Sequence, residues 1–426
     1  MESIKEKDQY KVSRLLYILE AALEYFVSIA VGTVYLARLT AYIGISDSIT
    51  GILSAFVSLG CGFQIIAIFL ANKRPVKRWV TAGHIFSQAL FAALYFIPLF
   101  SLSRKVKTII FICSLLIAHI VHNVINSPKI NWYMSLVEDK KRGRFTANKE
   151  IVSLLGGMAF SYGLGLVMDH FENSGAIRTA FIVCGIGLFA LMMFHSVTLI
   201  FAKEKQDVVE TTSVKKTLGA LFQNKALFKI LLIPILWNVA NYAVISFSGT
   251  YQTKELAFTT TFASIVMIVG SLCRAAFSRP LGAFADKYSF TKMLYICFGL
   301  EAVAFALNIF TMPSNGKIFY MVFYILYCIG FAGINSATIN LIYDYVTPDL
   351  RTSALALSQT FAGFAGFLTT LVLSPVVSFI QDKGNRLFGI PMYAQQLLSG
   401  IGLLVVASIV LYMLLVVSKI KKDSLE

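Results

Sequence analysis

The chain has 426 residues, of which 14% are charged and 57% hydrophobic, with a mean hydropathy of +0.73. A soluble protein of this length would carry about a quarter of its residues as charges, so a water-soluble globular fold is excluded. The net charge of +15 invites a polyanionic partner, but the positions of the basic residues, traced below, assign it to membrane topology instead.

Twelve apolar runs follow one another, at roughly 13–41, 46–71, 79–101, 105–136, 145–169, 178–201, 225–251, 257–284, 290–312, 316–345, 352–380 and 392–419. Each is near the ~20 residues that a bilayer-crossing helix needs. In hydrocarbon the backbone must satisfy its own hydrogen bonds, so such runs become helices. Helices buried in a large soluble protein could give one or two such runs, not a dozen. The first run is too long for a signal-peptide core and no small-residue cleavage site follows it, so it is expected to be retained.

Basic residues gather in alternate connections: Lys73, Arg74, Lys77 and Arg78; then Lys140, Lys141, Arg142 and Arg144; then Lys203, Lys205, Lys215 and Lys216; and Lys419, Lys421 and Lys422 at the end. That asymmetry is the positive-inside pattern and places both termini in the cytoplasm of a cell-membrane protein. Arg104, Lys105 and Lys107 are the exception on the outer side. No nucleic-acid partner is implied. The six cysteines all fall in predicted spans, without a CxxC pair or Cys/His cluster, so neither disulfides nor a metal is expected.

The chain also repeats itself. VINSPKIN (Val124–Asn131) returns as GINSATIN (Gly333–Asn340), and further matches flank both copies, such as Arg142 with Arg351. The longest polar interval, 202–224, separates the sixth and seventh runs. The expectation is an all-α membrane protein of 12 transmembrane helices in two pseudo-symmetric six-helix bundles, residues 1–201 and 225–426, joined by a cytoplasmic linker at 202–224. Parallel repeats of this kind are a transporter design.

At this point the chain resembles the major facilitator superfamily over essentially its whole length. GAFADKYSFTK, following the eighth run, keeps Gly282, Asp286 and Lys287 of the family's loop pattern and lacks its second glycine. IFLANKRPVKR, following the second run, has Asn72 where that pattern carries an acid. EDKKRGRF and TPDLRTSA resemble the family's basic turns before spans five and eleven. The resemblance implies a gating role for Asp286 against Arg142 or Arg144, with Arg351 in the matching turn. It also implies that spans one, four, seven and ten line a solute cavity.

A cavity-lining helix should bear a polar stripe at helical spacing. Span four does, with His119, His122, Asn123, Asn126, Lys129 and Tyr133; span seven does, with Asn238, Asn241, Tyr242 and Ser248. Span one offers Tyr17, Glu20, Glu24 and Ser28, and span ten Asn335, Thr338 and Asn340. Asparagine in a membrane helix also serves to bond neighbouring helices, but stripes on all four expected spans favour a cavity. The expected solute contacts are Glu20, Glu24, His122, Asn123, Asn126, Lys129, Asn238, Asn241, Tyr242 and Asn335.

Glu20 and Glu24 are four apart and share a helix face at like charge. Burial and mutual repulsion oppose ionising both, as proton coupling requires, and Glu24 is the deeper of the two. Lys129 lies at similar depth in span four, so a structural ion pair with these acids is the alternative and is compatible with coupling. Arg274 and Glu301 stand at matching distances from the turn between spans eight and nine, and are expected to form a structural ion pair.

No HExxH, G-x-S-x-G or Walker-type loop occurs, so neither an enzyme nor a cofactor is implied. The function expected is secondary active transport of a small polar solute by a monomer in the lipid bilayer, as proton symport by alternating access. A proton-driven exporter of hydrophobic or drug-like compounds is the alternative. A membrane-bound sensor or enzyme would need an appended soluble domain, and 202–224 is too short for one.

Overall fold

The computed structural model describes residues 10–70, 75–138, 142–205, 214–347, 350–387 and 389–420. Helices dominate: α1 (Lys11–Ala30), α2 (Thr33–Ile43), α3 (Asp47–Ser54), α4 (Phe56–Gly62), α5 (Ile65–Leu70), α6 (Val76–Ala93), α7 (Arg104–Ser135), α8 (Arg142–Asn173) and α9 (Ile177–Phe201). Then come α10 (Val214–Gln223), α11 (Lys225–Ile245), α12 (Ser248–Thr250), α13 (Thr260–Lys287), α14 (Phe290–Ile309), α15 (Gly316–Tyr343), α16 (Arg351–Asp382) and α17 (Ala394–Leu415). A small hairpin of two-residue strands, β1 (Arg386–Leu387) with β2 (Ile390–Pro391), precedes α17.

Among the described residues ten helical stretches are long and apolar enough to cross a bilayer. An eleventh is made by α1 and α2 if the pair, bent by 44° at Val31–Gly32, is one span. The remaining apolar run is α6, where Lys77, Arg78, His84, Ser87 and Gln88 dilute the hydropathy and the helix gives way to a short 3-10 turn at Ile97–Leu99. Large apolar side chains stay bare on the outer faces, Val372 and Leu404 both at 70% exposure. In water such a surface would aggregate; against acyl chains it costs nothing.

Side-chain oxygens set several helix starts by accepting orphan amides. Ser103 accepts from Val106 at α7, Asn224 from Leu227 at α11 and Ser289 from Lys292 at α14. Two helices are capped from a distance. The Glu204 carboxylate accepts from the amides of Val76 and Lys77 at 2.7 and 3.1 Å, opening α6, and Asp169 accepts from Thr260 and Thr261 at 2.8 and 2.7 Å, opening α13. Gly44, at φ +86°, ends α2 in the left-handed conformation that glycine adopts without strain.

Two compact units result. The first comprises Met1–Ile45, Phe63–Thr211 and Thr259–Ser264; the second Ser46–Gly62, Thr212–Phe258 and Ile265–Glu426. Each therefore incorporates a short segment from the other sequence half. In the first, α1 packs on α8 and α9, and α6 on α7 and α9. Thr259–Ser264 joins it through Asp169 and through Ser264, whose hydroxyl lies 2.8 Å from that of Tyr35. In the second, α14 packs on α15 and α17, and α11 on α16 and α17. There α3 and α4 lie along α16, tied by Ser58 donating to the Gly363 carbonyl at 2.9 Å and Ser374 to that of Ser48 at 3.0 Å.

Candidate functional site

The first unit buries a charged centre. Lys129, on α7 just after Pro128, is 2% exposed, and Glu20 on α1 is fully buried. The Lys129 ammonium donates to Glu20 Oε1 at 2.8 Å and to Glu24 Oε1 and Oε2 at 2.7 and 2.6 Å. One cation thus clamps both carboxylates, as the four-residue spacing along α1 permits. His122 Nδ1 lies 3.3 Å from Glu24 Oε1, and Gln88 Nε2 stands 3.4 Å from that same ring nitrogen. Aromatic rings seal one side: Tyr17 stacks on Tyr133 at 4.1 Å, and Tyr133 on Trp132 at 4.6 Å.

Behind this centre stand two residues that the sequence reading passed over. His84 on α6 and His195 on α9 are both fully buried, with His84 Nε2 and His195 Nδ1 2.7 Å apart. His84 also faces the acids, its Nε2 3.6 Å from Glu20 Oε1 and its Nδ1 3.6 Å from Glu24 Oε1. Ring nitrogens of this pair and a Glu20 oxygen lie within 4.8 Å of one another, a spacing that a metal ion could bridge. The Lys129 ammonium already fills the place of a cation beside Glu20, so these residues fit a metal poorly.

Asn123, expected among the solute contacts, is held within the first unit by its amide. It donates to the His119 carbonyl of its own helix at 2.9 Å and accepts from Gln64 at 3.4 Å. Asn126 is half-buried on the same helix.

The second unit holds an uncharged cavity of about 160 Å³. Asn238, Asn241 and Tyr242 of α11 and Asn335 of α15 line it, so the expected residues of spans seven and ten come together. Asn241 is held by the Tyr327 hydroxyl, which donates to its Oδ1 at 2.8 Å, and Asn238 donates to the Pro234 carbonyl at 2.9 Å. Ser58 of α4 and Ser358 and Gln359 of α16 complete the polar lining, while Trp237 and Phe331 supply aromatic walls. Ser58, Ser358 and Gln359 were missed because they lie on spans two and eleven, outside the four spans expected to line a cavity.

The expected ion pair of Arg274 with Glu301 is absent. Arg274 lies over the Phe331 ring at 5.1 Å, while Glu301 is fully buried with neither carboxylate oxygen hydrogen-bonded among the described residues. Matching depth along two helices does not fix the rotation of either, and Glu301 points at Gly330 of α15, where even a Cβ would come within 2.6 Å of Oε1. Of the expected gating residues, Asp286 is exposed in the last turn of α13 and Arg351 lies over the Tyr343 ring at 5.1 Å. The side chains of Arg142 and Arg144 lie outside the described residues, as does Asn72.

These features define a polytopic membrane protein of the transporter type, with one buried ionic centre and one neutral polar cavity in separate compact units. A sequence profile described as Major Facilitator Superfamily matches residues 16–370, and the chain belongs to that superfamily. Solved structures agree on the fold. The nucleoside transporter NupG superimposes with a TM-score of 0.70 at 18% identity, covering 96% of this chain and all of that one (100%). A D-xylose-proton symporter gives 0.70 at 14% identity, over 94% and 97% of the two chains, and an auto-inhibited POT family peptide transporter 0.68 at 13%, over 96% and 97%. No curated protein sequence matches the chain.

Proposed function

We propose that the chain is a secondary active transporter that takes up a small, polar, uncharged solute together with protons, by alternating access. The observation that carries this reading is the second unit's cavity, rich in amide and hydroxyl groups and free of charged side chains. Convergent polar groups on a partly aromatic wall are what a ligand site needs for orientation. At about 160 Å³, the cavity is on the scale of the ~150 Å³ that accommodates a benzene ring, which favours a small solute. The solved relatives named for a nucleoside and for D-xylose with protons are consistent with a solute that hydrogen-bonds through neutral groups.

The ionic centre of the first unit supplies the proton site. An intramembrane carboxylate pair held by a single lysine can change charge when a proton or solute arrives, and such residues mark transport pathways. In this reading Glu24 and Glu20 couple the proton. Asp286, Arg142, Arg144 and Arg351 gate the cytoplasmic side, residues 1–201 and 225–426 act as two bundles joined at 202–224, and the protein works as a monomer with both termini in the cytoplasm of the cell membrane. Trp237, Phe331 and the neighbouring isoleucines keep an exporter of drug-like compounds as the second reading.

A thermal-shift screen of the purified protein against neutral metabolites identifies the solute, and flux in proteoliposomes then gives the direction. Accumulation with the extraluminal side acid supports symport. Efflux driven by the same gradient, with hydrophobic rather than polar compounds giving the shifts, overturns it.

A further inference from the structure

The proton-coupling reading leaves His84 and His195 without a task, yet they extend the charged centre. Two carboxylates and one ammonium leave one negative charge over, and burying an uncompensated charge is costly. One additional proton balances the cluster. Three atoms that could carry it have no hydrogen-bond partner among the described residues: Glu20 Oε2, His84 Nδ1 and His195 Nε2. Between the ring nitrogens 2.7 Å apart a hydrogen must already sit. The ring planes are nearly perpendicular, at 86° with centroids 4.7 Å apart, and the 2.7 Å contact between nitrogens makes this a ring-to-ring hydrogen bond.

The groups around the pair are few. From α1 come Glu20 and Glu24, with Tyr17 one turn below; from α7 come His122 and Lys129, with His119 and Tyr133 farther along. Among the described side chains of α8, Lys149 reaches this region, over the Tyr17 ring at 5.5 Å. On the described parts of α6 and α9 deep in the unit the titratable groups are the two histidines and the Cys184 thiol, which lies three helical turns from His195 against Met168 at 3.9 Å.

Resting on the proton-coupled reading above, we propose that His84 and His195 form a two-ring relay that stores the coupled proton on the α6–α9 side of the Glu20–Lys129–Glu24 centre. A proton leaving the carboxyl pair adds to Nδ1 of His84, which faces Glu24 Oε1 at 3.6 Å. The hydrogen on His84 Nε2 then passes to Nδ1 of His195 across the 2.7 Å contact. One proton has moved and none is created: the carboxyl pair is ionised and held by Lys129, and His195 is an imidazolium. A satisfied pair of core histidines joining two helices would have the same hydrogen bond but no spare ring nitrogen facing an acid, as His84 Nδ1 faces Glu24.

The test needs no solute. Wild-type protein carrying ring-labelled histidine is placed in lipid nanodiscs, and infrared difference spectra are recorded through a pH titration. The expected result is that histidine ring bands and the carboxylic C=O band change over the same pH interval. In His195→Asn the amide occupies the position of Nδ1 and keeps the hydrogen bond to His84 but cannot carry a proton. That variant is expected to fold as wild type, to lose the coupled ring signal, and to move the carboxyl midpoint by about one pH unit, a tenfold change in proton affinity.

A carboxyl titration unchanged in both His195→Asn and His84→Gln overturns the relay. So do wild-type ring bands that stay silent while the carboxyl changes, a readout that stands even if neither variant folds. Proteoliposome flux separates the two readings. A coupled titration in a protein whose transport ignores the pH gradient retains the relay and removes symport; pH-driven transport with silent rings does the reverse.

Discussion

A charge buried in a membrane helix is tolerated only when another group answers it, and Lys129 answers two. Its ammonium uses every donor on Glu20 and Glu24, so Lys129→Ala leaves both carboxylates buried and facing one another. Breaking a buried pair this way costs ~3–5 kcal/mol, and thermal unfolding in detergent should show a severely destabilised protein. Glu24→Gln is gentler, since the amide keeps the shape and Glu20 still holds Lys129. It should abolish pH-driven accumulation while sparing solute exchange; accumulation at the wild-type level removes Glu24 as the coupling residue. Arg274→Ala loses the contact with Phe331, worth ~0.5–1 kcal/mol, and a loss several times larger in detergent thermal unfolding would mean that Arg274 does answer Glu301. The acids and Lys129 were legible in the sequence because a charge among apolar residues is itself a signal, and its depth can be counted from the helix end. His84 and His195 were not, because the stripe of His84, Ser87 and Gln88 lies on a span outside the four expected to line a cavity, and His195 is the one residue able to carry a positive charge deep in a strongly apolar helix. Arg274 and Glu301 misled because depth was counted and rotation could not be.

At the scale of elements, two backbones come close at Gly363. A Cβ there would lie 2.5 Å from the Ser58 carbonyl oxygen and 2.6 Å from the Gly62 amide nitrogen. Neither neighbour is a side chain that can swing away, so Gly363→Ala must push α4 from α16. The overpacking cost is ~1–3 kcal/mol, and because Ser58, Cys61 and Gly363 all line the cavity, solute-induced thermal shifts should weaken as well. A variant as stable as wild type, with its ligand shifts intact, would mean that α4 does not hold this position. Asp169 tests the capping of α13 from a distant helix: Asp169→Ala frees the amides of Thr260 and Thr261, at ~0.5–2 kcal/mol for a lost cap. Apolar run length placed the long helices to within a few residues, since hydrocarbon thickness leaves them little choice. It could not show the break at Val31–Gly32, the division of 46–71 into three helices, the helix α10 inside the polar linker or the small hairpin before α17. Those depend on local turns and caps, which leave hydropathy unchanged.

For the whole molecule, the sequence repeat invites cutting the chain in two between its halves, and the compact units argue that neither piece is complete alone. The second unit includes Ser46–Gly62, and the first includes Thr259–Ser264. A fragment beginning at residue 214 therefore lacks α3 and α4, and with them the cavity wall formed by Ser58 and Cys61. It also leaves Gly363 and Gly366 of α16 facing lipid where backbone and side chains of α4 should pack, Gly366 being the point at which a Cβ would meet the Ser58 hydroxyl at 2.5 Å. A chain ended at residue 205 keeps the whole Glu20–Lys129–Glu24 centre but leaves the Asp169 carboxylate without the amides it caps. Expressed alone, each fragment should unfold at a lower temperature than the intact protein and with a broader transition. Expressed together they should recover a single sharp transition and the solute-induced shift, because the missing segments are supplied by the other fragment rather than by the linker. If the fragment from residue 214 alone unfolds as cooperatively as the full chain, α3 and α4 contribute nothing to that unit's stability, and the cavity has to be rebuilt from α11, α15 and α16 without them.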